Sequence, residues 1–477
     1  MERTHRCGEV RVEDSGEKVE LIGWVHRIRD HGGKRFIDLR DRAGIVQTVL
    51  GDDTDKFAES DDFGREYLIK VEGEVRERPE DMVNEELDTG GVEVAVESFE
   101  LVNESEVPPF SLDEEKQEGI REELRMEHRY LDMRRQSVSD TIQKRHQFTQ
   151  ACREYLNNNE FVEVETPNLT KSSPEGARDF VVPSRKEPGN FYALPQSPQL
   201  FKQLLMVGGM ERYYQMARCF RDEDTRKDRQ PEFTQIDIEV SFMGQEDFLT
   251  MMEETVSRGA EEAFGVEFDT PVDRITHQEA MDKYGTDRPD RRYDMILNEF
   301  SSMVEDSDFN VFSDTVSEGG VVKGFKLEDS ASEISNRGMD ELEEVVTDEG
   351  VGGLVWIKVE EDGYNSPVGK FIEDEKIDSI REELEAEAGD VIFIVADERR
   401  TANQALGTLR RHLAEKFGMT DTDENDMLWV VDFPLFGYED GEFDYEHHPF
   451  TMPKDQEKIE ELDFEEATEE ELLEITA

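Results

Sequence analysis

The stretch from Gln215 to Phe242 constrains the fold more than any other part of the chain. Two alternating runs are separated by a strongly polar segment, Asp224–Gln230, and the second run opens at Pro231-Glu232-Phe233. In that run Thr234, Ile236, Ile238 and Val240 fall on one face, and Gln235, Asp237, Glu239 and Ser241 on the other. Successive side chains of a strand point to opposite faces, so the pattern predicts a hairpin with an apolar underside and a polar row above. Arg221, at the hairpin mouth in Phe220-Arg221-Asp222-Glu223, carries a planar fork of donors suited to a phosphate. A solvated loop is the ordinary alternative for a charge run. Three acids or amides in register opposite an apolar face argue against it.

The 477 residues are enough for two to four domains. With 118 acidic against 55 basic residues, the net charge is -63. Such acidity often marks disorder, but here the acids are interleaved with patterned apolar positions. The expectation is a folded protein of a halophile-like proteome, because molar salt shortens the screening length to about 3 Å and mutes self-repulsion. Cys7, Cys152 and Cys219 have neither metal-ligand spacing nor a disulfide framework. No apolar run reaches the ~18 residues of a membrane span and no signal-peptide core opens the chain, so a cytoplasmic protein without membrane or DNA partners is expected.

Residues 1–104 read as five short strands, Val19–Arg27, Lys34–Arg40, Ile45–Leu50, Tyr67–Val75 and Val92–Leu101, which predicts a small Greek-key barrel of the OB type. Arg27, Arg29, Phe36 and Gln47 are candidates for a nucleic-acid face, although a purely structural barrel fits the same pattern. Residues 105–140 are expected to be a hinge. Residues 141–285 and 421–477 are expected to form two parts of one domain, with a separate αβ region at 286–420. Phe148, Ala151, Cys152, Tyr155 and Leu156 have helical spacing. Phe161–Glu165 and Trp429–Phe436 read as strands, and Ser197-Pro198 as the N-cap and first residue of a helix that Gly208-Gly209 closes. The acidic residues from Asp455 to Ala477 read as a solvated helix.

Several segments together resemble aspartyl-tRNA synthetase of the bacterial type, a class II aminoacyl-tRNA synthetase. Arg29-Asp30-His31-Gly32-Gly33 with Phe36-Ile37-Asp38-Leu39-Arg40-Asp41 is similar to the anticodon-binding barrel. Arg129-Tyr130-Leu131-Asp132-Met133-Arg134 resembles the entry to the catalytic domain, and Glu165-Thr166-Pro167 the end of the motif that builds a dimer interface. The segment from Ser173 through Glu175 to Asp179 is similar to a mobile loop over the amino acid. Gln196-Ser197-Pro198-Gln199-Leu200-Phe201-Lys202 resembles the amino-acid-binding segment, and Phe220–Glu223 through Arg229–Phe233 the second class II motif.

The implied fold is α+β multidomain: an N-terminal OB-fold β-barrel, an incomplete antiparallel-sheet catalytic domain and an inserted αβ domain. The implied chemistry is attack of L-aspartate on the α-phosphate of ATP, bound with Mg2+, followed by transfer to tRNA(Asp) by a homodimer. Positioning and charge stabilisation dominate such a reaction. The resemblance assigns Arg221 to the α-phosphate as the catalytic group. It assigns Asp222, Glu223, Gln230 and Phe233 to ATP. Lys202 and Asp237 go to the aspartate side chain, and Glu175, Ser197, Gln199, His447 and His448 to the rest of the amino acid. Each has a plainer reading: a snorkelling lysine, a structural acid network, a core phenylalanine, or histidines capping a turn. His31 suggests that tRNA(Asn) is charged as well, while Met82 suggests a strict enzyme, so that choice stays open.

The resemblance also implies absences. The third class II motif, a metal-binding glutamate and an arginine for the substrate side chain do not follow Thr451, which reads as a truncated or split product. Activity is therefore expected of the completed polypeptide, and little or none of this chain alone. The rival readings are a non-catalytic tRNA-binding paralogue and a related asparaginyl or amide-forming ligase.

Overall fold

The computed structural model describes residues 2–31, 34–51, 64–112, 119–173, 175–225, 229–420, 423–439, 442–445 and 451–454, and single positions between 456 and 476. The chain divides into two units, Met1–Gln150 and Ala151–Ala477.

In the first unit, β1 (Lys18–His31), β2 (Lys34–Asp41), β3 (Gly44–Leu50), β4 (Leu68–Glu77) and β5 (Val92–Asn103) close into a barrel in the order β1-β2-β3-β5-β4. The β3–β5 contact is parallel and the other pairings are antiparallel. This is the OB-type barrel expected from the strand spacing. Val19, Leu21 and Val25 of β1 point into its core with Ile37, Leu39, Val71 and Val94. Strict alternation would continue that inward row through Arg27 and Arg29. A bulge between Val25 and Arg27 resets the register, so Ile28 packs against the core instead. One extra residue in a strand reverses the facing of all that follows.

After the barrel, the expected hinge proves to be structured in part. Two short helices, α1 (Glu122–Glu127) and α2 (Arg129–Asp132), precede α3 (Gln136–Asn158). Asp132 is fully buried and takes hydrogen bonds from Arg125 at 3.0 Å, Arg135 at 3.0 Å and Arg129. Burial raises its carboxyl pKa, but the hydrogen bonds from Arg125 and Arg135 outweigh burial and hold it below the ordinary carboxylate range. Arg134 reaches the barrel's Glu66 at 2.7 Å, which also receives the buried Arg40 at 2.8 Å.

In the second unit the expected strand at Phe161–Glu165 is only β6 (Val162–Glu163), followed by a small ribbon of β7 (Val181–Pro183) and β8 (Phe191–Ala193). Helix α4 (Gln199–Val207) then leads to β9 (Arg212–Phe220) and β10 (Glu232–Val240), the predicted hairpin, which extends to β6 in the order β10-β9-β6. Ile236, Ile238 and Val240 pack underneath against Leu156, Phe161, Tyr214 and Met251. Met251 belongs to α5 (Gln245–Phe264), which ends at Gly265 with φ +67, the left-handed cap that glycine adopts without strain. The helix at Gln199 opens differently from expectation. Pro198 occupies the cap position, and the Ser197 hydroxyl accepts from Gln199 N at 3.3 Å while donating to Glu175.

Strand β11 (Asp273–Thr276) and helix α6 (His277–Tyr284) lead to an αβ layer structure. It comprises β12 (Asn298–Glu299), α7 (Ser301–Val304), α8 (Asn310–Ser317), β13 (Val321–Leu327), α9 (Asn336–Thr347), β14 (Val355–Glu360), β15 (Gly363–Asn365), α10 (Asp374–Glu383), β16 (Val391–Asp397) and α11 (Arg399–Lys416). The sheet order is β12-β13-β16-β14-β15. Val391, Phe393 and Val395 face one core, while Ile392 and Ile394 face another. Burial on both faces explains the unbroken apolar run of β16.

The chain then returns as β17 (Leu428–Val431), parallel to β11. Trp429 donates from Nε1 to the buried Glu253 of α5 at 2.8 Å. The strand expected to continue to Phe436 breaks at Asp432, whose φ is +56. A new ribbon follows, β18 (Phe436–Glu439) with β19 (Glu442–Tyr445). The expected solvated tail is corrected in part: Leu472 and Ile475 are buried against Leu435 and Phe436, and Thr476 bridges to Pro434.

Candidate active site

The polar face of the β9–β10 hairpin forms the floor of the site. Register pairs Phe233 with Cys219, Gln235 with Ala217, Asp237 with Gln215 and Glu239 with Tyr213, so these side chains share one surface. Helix α4 lies against this hairpin. It delivers the Lys202 ammonium to Asp237 Oδ1 at 3.0 Å and to Glu239 Oε2 at 3.4 Å. Asp237 is only 7 % exposed, and its second oxygen has no hydrogen-bond partner among the described residues. A buried carboxylate oxygen left in that state is costly and suits a donor brought by a ligand.

Behind Asp237, both Thr166 Oγ1 (2.9 Å) and Tyr213 Oη (3.0 Å) donate to Gln215 Oε1. Burial, reinforced by the charge of Asp237, pushes the Tyr213 phenol well above its usual value and keeps it a donor. Burial likewise pushes the Cys219 thiol up to about 11, with Arg221 pulling the other way. Neither Gln215, Tyr213 nor Cys219 was marked by the sequence as a site residue. Alternation alone places Gln215 and Tyr213 on the polar face of β9 and was the available signal.

The hairpin mouth holds the phosphate candidates. The Arg221 guanidinium lies over the Phe233 ring, 5.2 Å from its centroid, and the Arg221 amide donates to Pro231 O at 2.9 Å. Stacking on a ring orients the fork while leaving its edge free to donate. Asp222 forms a bridge with Arg178, and Glu223 lies 3.9 Å from Arg229. Gln230 is exposed beside them. At the start of α4, Glu175 accepts from Ser197 Oγ at 2.6 Å and from Ser173 Oγ at 2.7 Å. Gln199 heads α4, its amide 3.3 Å from Ser197 Oγ. The structure thus brings together Glu175, Ser197, Gln199, Lys202 and Asp237 around one helix start, with Arg221, Asp222, Glu223, Gln230 and Phe233 at the hairpin mouth. His447 and His448 lie outside the described residues.

Glu175 is engaged by two serines, and Lys202 engages one oxygen each of Asp237 and Glu239. Among the described residues these carboxylates do not assemble into a metal-ligand group; the one such group, His5 with Asp14 and Glu17, belongs to the barrel unit. Among the described residues of this site no set of carboxylates is arranged to hold a resident Mg2+.

Within the barrel unit, Arg27, Arg29, His31, Phe36, Gln47 and Met82 all line one groove of about 1140 Å³. Arg29 donates to Asp38 Oδ1 at 2.6 Å and to Gln47 Oε1 at 3.1 Å, and Gln47 Nε2 donates to Glu93 at 2.9 Å. Cross-strand register places Arg29 beside Phe36 and Asp38 beside Gln47, giving a flat strip with one aromatic ring and several edge donors and acceptors. Arg78, also lining the groove, is held by Val92 O at 2.9 Å.

A hairpin with an arginine at its mouth, a lysine helix above it and a five-stranded nucleic-acid-type barrel ahead of it agree with the family comparisons. Residues 121–473 match the model for tRNA synthetases class II (D, K and N), and residues 19–102 match the OB-fold nucleic acid binding domain. The chain belongs to the class II tRNA synthetases of that D, K and N family.

An aspartate–tRNA(Asp/Asn) ligase of Desulfatibacillum aliphaticivorans is 48% identical over 462 residues, 96% of this chain and 77% of that protein. An aspartate–tRNA ligase of Staphylococcus haemolyticus is 48% identical over 467 residues, 97% of this chain and 79% of that protein. The solved asparaginyl-tRNA synthetase of Pyrococcus horikoshii with asparaginyl-adenylate superposes with a TM-score of 0.51 at 22% identity. That likeness covers 86% of this chain and 96% of the other, and it concerns the fold alone.

Proposed function

We propose that the chain is an aspartate–tRNA ligase, forming aspartyl-adenylate from L-aspartate and ATP and passing the aspartyl group to tRNA(Asp). The observation that carries this reading is the Lys202 ammonium seated on Asp237 and Glu239 at the site floor. Two acids fix the lysine's position, and its remaining donor meets the substrate's side-chain carboxylate; a neutral amide would gain less from that charge. Arg221, oriented by Phe233, holds the α-phosphate, where negative charge builds as the aspartate carboxylate attacks and pyrophosphate leaves. Phe233, Asp222, Glu223 and Gln230 contact the nucleotide, which brings Mg2+ as its own counter-ion. Glu175 and Ser197 meet the substrate ammonium, beside Gln199 at the helix start; His447 and His448 complete the amino-acid site.

The barrel groove reads the anticodon through Arg27, Arg29, Phe36 and Gln47, with His31 and Met82 at the positions that distinguish tRNA(Asp) from tRNA(Asn). Charging of tRNA(Asn) is favoured by His31 and by the dual Asp/Asn name of one relative. The domain limits set out from the sequence, 1–104, 105–140, 141–285, 286–420 and 421–477, remain the proposed functional division. A homodimer is supported by Leu200, Leu204 and Val207, which form an exposed apolar row on α4 at i, i+4 and i+7. Among the described residues no helix is long and apolar enough to cross a membrane, and the acidic composition supports a high-salt cytoplasm.

The test is aspartate-dependent ATP–pyrophosphate exchange in molar KCl, by the 477-residue chain and by the chain extended with a relative's C-terminal segment. Exchange in either form that requires aspartate and disappears with Arg221→Ala supports the reading. Exchange driven by asparagine, or none in either form while tRNA still binds, overturns it in favour of the related ligase or the non-catalytic paralogue.

A further inference from the structure

Gln196 opens the segment that resembles the amino-acid-binding one, yet neither the motifs nor the resemblance gave this side chain a role of its own. Gln196 is 1 % exposed, and its amide group is fully spent on a single short segment. Its Oε1 accepts from Ala177 N at 3.0 Å, and its Nε2 donates to Ala177 O at 2.9 Å and to Asp179 Oδ1 at 2.6 Å. The pair of contacts with Ala177 imitates a strand pairing, with a side-chain amide in place of a neighbouring backbone. On the segment's far edge, Asp222 N donates to Arg178 O at 3.0 Å. The next residue along the chain, Ser197, donates to Glu175.

Residues 175–179 are held here by directional hydrogen bonds rather than by apolar packing, since each is half-buried or exposed. Gly176, at φ +101, turns the chain between Glu175 and the clamped Ala177. The setting of the Glu175 carboxylate therefore depends on where Ala177 is pinned.

We infer that Gln196 is a positioning residue: it clamps Ala177 and Asp179 so that Glu175 is presented, oriented by Ser173 and Ser197, to the ammonium group of the amino-acid substrate. This rests on the reading of Glu175 as an amino-acid contact. The clamp holds the ground-state site together and touches neither the phosphate nor the reacting carboxylate. Its removal should weaken amino-acid binding and leave the chemical step and nucleotide binding nearly unchanged.

The charge pattern supplies a sharper test than truncation. Gln196→Glu keeps the acceptor for Ala177 N but sets a carboxylate against Ala177 O and the Asp179 carboxylate. Adding Asp179→Asn supplies a donor to the new carboxylate and restores one arm of the clamp.

The first readout is backbone amide exchange of the full chain by mass spectrometry, which needs no activity. In Gln196→Ala and Gln196→Glu, exchange at Ala177 should speed up by about tenfold, the scale of one hydrogen bond's net worth. The β9 and β10 amides should stay as protected as in wild type, and Gln196→Glu/Asp179→Asn should recover most of the protection. The second readout is the exchange reaction: the KM for aspartate should rise by about tenfold in the single variants and fall back in the double variant, with kcat and the KM for ATP within about twofold. Unchanged protection at Ala177 overturns the clamp, and so does a loss spread evenly over β9 and β10 in Gln196→Glu that Asp179→Asn does not reverse. If wild type shows the predicted amide pattern but no aspartate-dependent reaction, the clamp stands and the assignment of the substrate falls.

Discussion

At the level of single residues, the site is organised around a lysine and two carboxylates that pair before any ligand arrives and leave one Asp237 oxygen over. Lys202 is 13 % exposed and lies between two carboxylates, so removing it leaves Asp237 buried without its cation. Truncating one member of such a pair costs a few kcal/mol in binding or stability. Lys202→Met is expected to weaken aspartate binding by about a hundredfold or more, with ATP binding nearly unchanged; titration calorimetry with each ligand separates the two. The cysteines make a different prediction. All three are buried, and burial pushes the Cys152 and Cys219 thiols up to about 11, so neither forms a thiolate near neutral pH. Native protein should give almost no reaction with a thiol-specific dye at pH 7.5, against three equivalents after denaturation. Rapid labelling of the folded chain would show that at least one of the three thiols is not closed off by its packing.

At the level of elements, the segment after the barrel is held by an acid rather than by a hydrophobic core. Asp132 is enclosed by Arg125, Arg129 and Arg135. Its folded pKa lies below that of the unfolded chain, so its contribution is complete above the unfolded value of about 4 and is lost as pH falls through the folded value. Asp132→Asn should lower stability by about 3 kcal/mol near pH 7, with the difference from wild type shrinking steadily as the pH falls below about 4, as measured by urea unfolding across that range. Helix α4 has two roles on two faces. One face carries Lys202 to the hairpin, and the other presents Leu200, Leu204 and Val207. If that row is the dimer contact, Leu204→Glu with Val207→Glu should give a monomer by light scattering in molar KCl while leaving the fold intact by circular dichroism. An unchanged mass would place the contact elsewhere.

For the whole molecule, the charge of -63 sets the conditions under which everything else operates. Repulsion among surface acids acts over about 10 Å at 0.1 M salt and about 3 Å at 1 M. The thermal midpoint should therefore rise steadily between 0.1 and 2 M KCl, and a flat or falling profile would contradict the high-salt reading. The barrel groove faces a related constraint, because phosphate contacts weaken steeply with salt. Its arginines are tied to neighbours, Arg29 to Asp38 and Gln47 and Arg78 to a backbone carbonyl, which favours base-edge and stacking contacts through Phe36 and Gln47 over free phosphate-binding cations. Binding of tRNA should show a shallow dependence on salt, fewer than about three counterions released in a plot of log K against log salt.

Local patterning sufficed for the β9–β10 hairpin, its apolar underside and its polar row, because period two is a local property that needs no knowledge of neighbours. The five barrel strands were legible for the same reason, and Arg221, Lys202 and Asp237 could be named from their motifs. What the tertiary structure decided were contacts between residues far apart in the chain. Only the bulge between Val25 and Arg27 turns Arg27 and Arg29 out of the barrel interior, where unbroken alternation would have left them. Only the fold brings Gln196 to Ala177, and Thr166 to Gln215 across 49 positions. The break at Asp432 and the burial of Leu472 and Ile475 against Leu435 were likewise hidden. Periodicity reports which face of its own element a side chain occupies; which partner meets that face is settled by packing and by hydrogen bonds that close over long stretches of chain.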